Sequence, residues 1–77
     1  PRVRKALLRA LDDDSSYGRS AGAKGLGYLK AKKAVPALIQ RLAHDKSAYV
    51  RSASAKALGE IKDPAAIPQL LSALVDP

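Results

Sequence analysis

The sequence predicts an all-α fold in which paired helices stack side by side into a superhelix, five helices making about two and a half copies of one unit. The prediction rests on an internal repeat, on apolar residues at helical spacing within each copy, and on turn residues that recur at matching places. Sliding the chain by 32 positions lays residues 13–43 on residues 45–75, and 15 of these 31 pairs are identical. They include Tyr17/Tyr49, Arg19/Arg51, Ser20/Ser52, Lys24/Lys56, Leu26/Leu58, Gly27/Gly59, Lys30/Lys62, Pro36/Pro68, Leu38/Leu70 and Leu42/Leu74. Two unrelated Ala-rich helices share a few identities by chance, but not their punctuation as well.

The elements follow in order. Residues 1–11 form a helix over Arg2–Leu11: shifted by 31 positions, its Leu7, Leu8 and Leu11 fall on Leu38, Ile39 and Leu42. It is a second-type helix whose own partner lies before it, so the chain opens in mid-repeat and is expected to be a fragment of a longer array. Residues 12–43 make the first full unit and residues 44–77 the next. The first helix of each spans Ser16–Leu29 and Ala48–Ile61. Ser15 or Ser16, and Ser47, cap their N-terminal ends, and Asp12–Asp14 and Asp45 sit at the positive end of the helix dipole. Lys30 and Lys62 fall where a cation favours the last turn. In the second helices, Val35, Leu38, Ile39 and Leu42, then Ile67, Leu70, Leu71 and Leu74, give one apolar stripe each. Asp63–Pro64 is a start signal, whereas Pro36 and Pro68 come slightly later and predict an irregular first turn.

Composition excludes much. The 77 residues hold no Cys, Met, Trp or Phe, and all the aromatic residues are its three Tyr. No disulfide framework, thiolate zinc site or cysteine nucleophile is available. No apolar run approaches the length of a membrane span. A single domain this short buries only about 60% of its unfolded surface, so a core of Ala, Leu, Val and Ile is expected to be marginal alone.

The strings Leu11–Ala21 and Tyr49–Leu71 resemble HEAT-like repeats, the short class named after phycocyanobilin lyase subunits in particular. The match lies in the frame Val-Arg, Ala, Ala-Leu-Gly, Asp-Pro, Ile-Pro, Leu-Leu, as in Val50-Arg51, Ala57-Leu58-Gly59, Asp63-Pro64 and Ile67-Pro68. The first full unit departs from it at Gly18, Ala31 and Lys32, which suggests a looser repeat there with a more basic turn. The resemblance covers essentially the whole chain. It implies a right-handed α-α superhelix, with Arg2–Leu11, Ala34–Ala43 and Pro64–Val75 lining the concave face. It also implies a structural role for Arg19 and Arg51, near the packing between helices and paired with an acidic loop residue, for which Asp12–Asp14, Asp45 and Asp63 are available.

Catalytic motifs fail on inspection. Gly18–Gly27 resembles a phosphate loop, but Lys24 precedes Gly25 rather than Ser or Thr, and no strand comes before it. Small residues admitting a close helix are the better account of Gly27 and Gly59, although each interior Gly loses about 1 kcal/mol of helix preference. On that ground Ser16–Leu29 is expected to be the softest element. His44 is the single histidine, beside Asp45 in a turn, and a metal site needs three or four convergent ligands. The expectation is no enzyme, no cofactor and no metal.

The functional content lies in charge: 14 Lys and Arg against 7 Asp and Glu, a net +7. Arg2, Arg4, Lys5 and Arg9 crowd the first helix, and Lys30, Lys32 and Lys33 one turn. The reading is a scaffold that takes a protein partner, acidic in character, on its concave face through Arg9, Gln40, Arg41 and Gln69, with Lys5 and His44 at the edge. Asp13, Asp45, Asp63, Arg19, Arg51, Gly27 and Gly59 are assigned to structure. The alternatives are a bilin-lyase-like regulatory subunit, and nucleic-acid or other polyanion binding through the basic clusters, against which stands the lack of interleaved aromatics. Uncovered apolar surface at the end repeats, around Leu7, Leu8, Leu70, Leu71 and Leu74, predicts self-association.

Overall fold

Capping chemistry sets where the helices of the protein begin. In the computed structural model, which describes residues 2–64 and Pro68, α1 spans Arg2–Ala10, α2 Ser16–Tyr28, α3 Val35–His44 and α4 Ala48–Ile61. Ser15 Oγ accepts from Tyr17 N, and Ser47 Oγ from Val50 N, which satisfies one orphan amide at the start of α2 and of α4. One step earlier, Asp13 Oδ1 accepts from Ser15 N at 2.8 Å and Asp45 Oδ1 from Ser47 N at 2.9 Å. The 32-residue repeat is thus a repeat of hydrogen bonds. The predicted fifth helix over Pro64–Val75 lies outside the described residues; four α-helices stand among those described, with no strand.

The helix ends use lysine in an unexpected way. Lys30 and Lys62 adopt left-handed backbone, at φ 52° and 58°. Rather than serving the last turn only as cations, they make the reversal that ends each helix. After α2, Ala31 N bonds Leu26 O and Lys30 N bonds Gly27 O, the paired bonds of a Schellman cap. Pro36 has the predicted effect on the next helix: a 3-10 turn over Lys32–Ala34 precedes α3, and the proline takes an early position where its missing N–H costs nothing.

The helices form two layers. In the first, α2 and α4 lie side by side in the most extensive contact of the fold; in the second, α1 packs on α2 and α3 on α4. Each second-layer helix therefore makes its most extensive backbone contact with the first-layer helix that follows it in the chain. The core between the layers runs through Leu11, Leu26, Leu38, Leu42, Leu58 and Ile61, with Ala23, Ala53 and Ala57 between α2 and α4. Each buried Leu or Ile contributes about 1.5–3 kcal/mol relative to exposure.

Glycine in α2 marks contact rather than softness. A Cβ at Gly27 would stand 2.7 Å from Ala57 Cα, and one at Gly22 would stand 2.9 Å from both Ala10 Cβ and Leu7 O. Both glycines are buried, one against α4 and one against α1. The lost helix preference is offset by approaches that no side chain would permit. α2 is packed on two sides, against α1 and against α4.

Candidate interaction surface

A buried ion pair joins the two loops that lead into α2 and α4. Arg19 is 5% exposed and Asp45 4%. Arg19 Nε donates to Asp45 Oδ2 at 2.9 Å and Nη2 to Asp45 Oδ1 at 3.3 Å, the two-pronged geometry that suits guanidinium and carboxylate. Its Nη1 donates to the carbonyls of Asp13 and Asp14 at 2.8 and 3.0 Å. The acidic loop thus closes over the guanidinium with its backbone, not with its carboxylates. Burial alone would raise the pKa of Asp45. The Ser47 amide, the hydrogen bond and charge of Arg19, and the Arg41 hydrogen bond outweigh that and hold it below the ordinary 3.8.

Arg41 belongs to this network. Its Nη2 lies 2.9 Å from Asp12 Oδ1 and its Nη1 3.4 Å from Asp45 Oδ2. It was expected among the partner-binding residues, yet its half-buried guanidinium is held by two carboxylates of its own chain. A single sequence offers Asp12, 29 residues away, no visible link to Arg41; the link exists because the two loops stack. Asp12, Asp13, Asp14, Arg19, Arg41, His44, Asp45 and Lys46 line a shallow cleft of about 330 Å³ at this end. Among the described residues no three His, Cys, Asp or Glu are grouped to hold a metal ion.

The other expected residues are placed as follows. Lys5 and Arg9 are exposed on α1, and Gln40 and His44 on α3, with His44 the last helical residue rather than part of a turn. By the 31-residue shift Lys5 corresponds to Pro36 and Arg9 to Gln40, so both helices turn equivalent positions outward. Gln69 lies outside the described residues. Arg51 Nη1 donates to Asp45 O at 2.6 Å, as Arg19 does to Asp13 O, but among the described residues it meets no carboxylate. Asp63 is half-buried after α4. Gly27 packs tightly, whereas a Cβ at Gly59 would meet nothing within 4 Å, so the structural assignment of Gly59 finds no contact among the described residues.

Sequence reasoning overlooked one surface. Tyr17 and Tyr28 are 79% and 84% exposed and Tyr49 51%, all on the first-layer helices. Lys24 joins the two rows: its Nζ donates to Tyr49 Oη at 2.8 Å and lies 4.9 Å from the ring centroid. The signal was present, since Tyr17, Lys24 and Tyr28 stand at i, i+7 and i+11 of one helix.

Repeated caps, side-by-side helices in two layers and an arginine–aspartate link between successive loops define a stacked helical-repeat protein. The chain belongs to the HEAT repeat family: the family described as HEAT repeats matches residues 3–77. No curated protein matches it. Among the described residues no helix is long and apolar enough to cross a membrane.

Proposed function

We propose that the chain is a non-catalytic scaffold, a short right-handed stack of HEAT-like repeats, that binds a protein partner of acidic character on the face formed by α1 and α3. One observation carries the reading: Arg2, Lys5 and Arg9 are exposed at i, i+3 and i+7 of α1, and none of them is paired with a carboxylate among the described residues. Arg19 and Arg41, by contrast, are occupied within the fold. An unneutralised cationic row on a rigid helix attracts a complementary acidic surface and orients it. Gln40 continues the row on α3, with His44 at its margin, while Arg41 anchors the loops beneath. Membership of the HEAT repeat family supports protein binding as the general role.

A photo-crosslinking residue at position 40 is expected to label the partner, and Lys5→Glu with Arg9→Glu to abolish the labelling while the variant melts like the parent. Labelling that survives the double reversal, or that arises only from position 56 on the opposite layer, would sink this reading.

A further inference from the structure

The outer side of the first layer has a composition of its own. On α2, Tyr17, Ala21, Lys24 and Tyr28 occupy i, i+4, i+7 and i+11, one exposed stripe opposite the buried Arg19 and Leu26. On α4, Tyr49, Lys56 and Glu60 repeat the pattern at i, i+7 and i+11, all of them exposed. Every aromatic residue of the chain therefore stands on this face, although a Tyr ring is one of the largest apolar payloads available to a core. Lys30 and Lys62 are exposed at the far ends of the same helices, and among the described residues none of these four lysines is paired with a carboxylate. The face interleaves exposed phenol rings with ammonium groups that no carboxylate neutralises among the described residues, and Lys24, lying over the Tyr49 ring, leaves Tyr17 and Tyr28 as the open pair.

We propose that this outer face binds single-stranded nucleic acid, with bases stacked on Tyr17 and Tyr28 and phosphates neutralised by Lys24 and Lys56. The two rings lie about 16 Å apart along α2, at about 1.5 Å per residue, with Lys24 between them. Stacking on an aromatic ring tolerates any base, and lysines beside the rings follow the backbone charge. An intact duplex keeps its bases stacked on one another and gives the rings nothing to take. Glu60 stands on α4 where α2 has Tyr28, so α2 alone carries two rings on this face. An acidic protein would be drawn to the same lysines, but it has no need of three exposed rings.

Fluorescence anisotropy of an end-labelled oligothymidylate at low salt reads the affinity. Tyrosine emission, free of any tryptophan signal in this chain, reads stacking directly. Saturable binding with quenched tyrosine emission is expected. Tyr17→Ala and Tyr28→Ala should each weaken binding about fivefold or more, while Tyr17→Phe and Tyr28→Phe keep it. Lys24→Ala and Lys56→Ala should each flatten the logarithmic salt dependence by about 0.7. These exposed positions accept Ala without loss of helix preference, so the variants are expected to fold, as circular dichroism would record. The proposal is overturned by absence of saturable binding, by alanine variants that bind like the parent, or by a polyglutamate peptide of equal charge binding as tightly as the oligonucleotide.

Discussion

At Gly27 in α2 a missing side chain lets α4 in; at Gly59, the same place in α4, it borders open space among the described residues. The two helices share their serine caps and their lysine ends, yet equivalent residues do different work because their neighbours differ. Arg19 is sealed against Asp45, while Arg51, among the described residues, donates only to a carbonyl. Gly22 admits α1, and its counterpart Ser54 is fully buried with no hydrogen-bond partner for its hydroxyl among the described residues. A repeat copies residue types; position in the stack decides what each is worth.

The largest expected effect separates the two loop aspartates. Asp45→Ala leaves the Arg19 guanidinium buried without its carboxylate and should cost about 3–5 kcal/mol, enough to unfold a small domain. Asp13→Ala removes an exposed cap and should cost about 1 kcal/mol in urea denaturation. Equal losses would end the distinction drawn between the loops. The pH dependence has the same origin. Because the folded pKa of Asp45 is lowered from 3.8, its contribution is complete above 3.8 and is lost as the pH falls through the lower folded value. Acid unfolding should therefore set in below pH 3.8, and an Asp45→Asn variant should lack this component of the acid transition.

Next comes one substitution made twice. Gly27→Ala forces a Cβ to within 2.7 Å of the α4 backbone and should destabilise by about 1–3 kcal/mol. Gly59→Ala meets nothing among the described residues and should stabilise by up to about 1 kcal/mol through helix preference. Melting temperatures that move the same way in both variants would refute the contact at Gly27. Ser54→Ala removes a buried hydroxyl without a partner and should stabilise by about 1 kcal/mol, whereas an unchanged or lower urea midpoint would mean that the hydroxyl is satisfied. The smallest effect belongs to the helix ends. Lys30→Gly and Lys62→Gly each relieve a left-handed residue and should stabilise by a few tenths to about 1 kcal/mol, a gain absent if the backbone there is extended in solution.

Much of the fold was legible because its signals are local. Ser15 and Ser47 announce helix starts in any context, Pro36 an irregular first turn, and Leu38, Ile39 and Leu42 a buried stripe. The candidate surface was legible only in part. Lys5, Arg9 and Gln40 turn outward as their helical phase requires, but Arg41 shares the same stretch and is drawn down to Asp12 and Asp45. No periodicity within α3 reveals that, because the carboxylate at Asp12 comes from the loop of the preceding stack position. The outer face was missed for a different reason: Tyr17 and Tyr49 were read as matching repeat positions, and only their exposure turns them into a surface.

Residue order alone determined the helices, their caps and the two faces of each, since these depend on neighbours within about one or two helical turns, and the 32-residue period follows from those local signals recurring. The tertiary structure decided which helix each face meets, and with it the value of every equivalent pair. It made Gly27 a contact where Gly59 meets none among the described residues, Asp45 the partner of a buried arginine and Asp13 a surface cap, Arg41 an internal tie rather than a free cation. The physical reason is that packing and desolvation depend on what comes near from elsewhere in the chain, and a repeating sequence is the same on both sides of that difference.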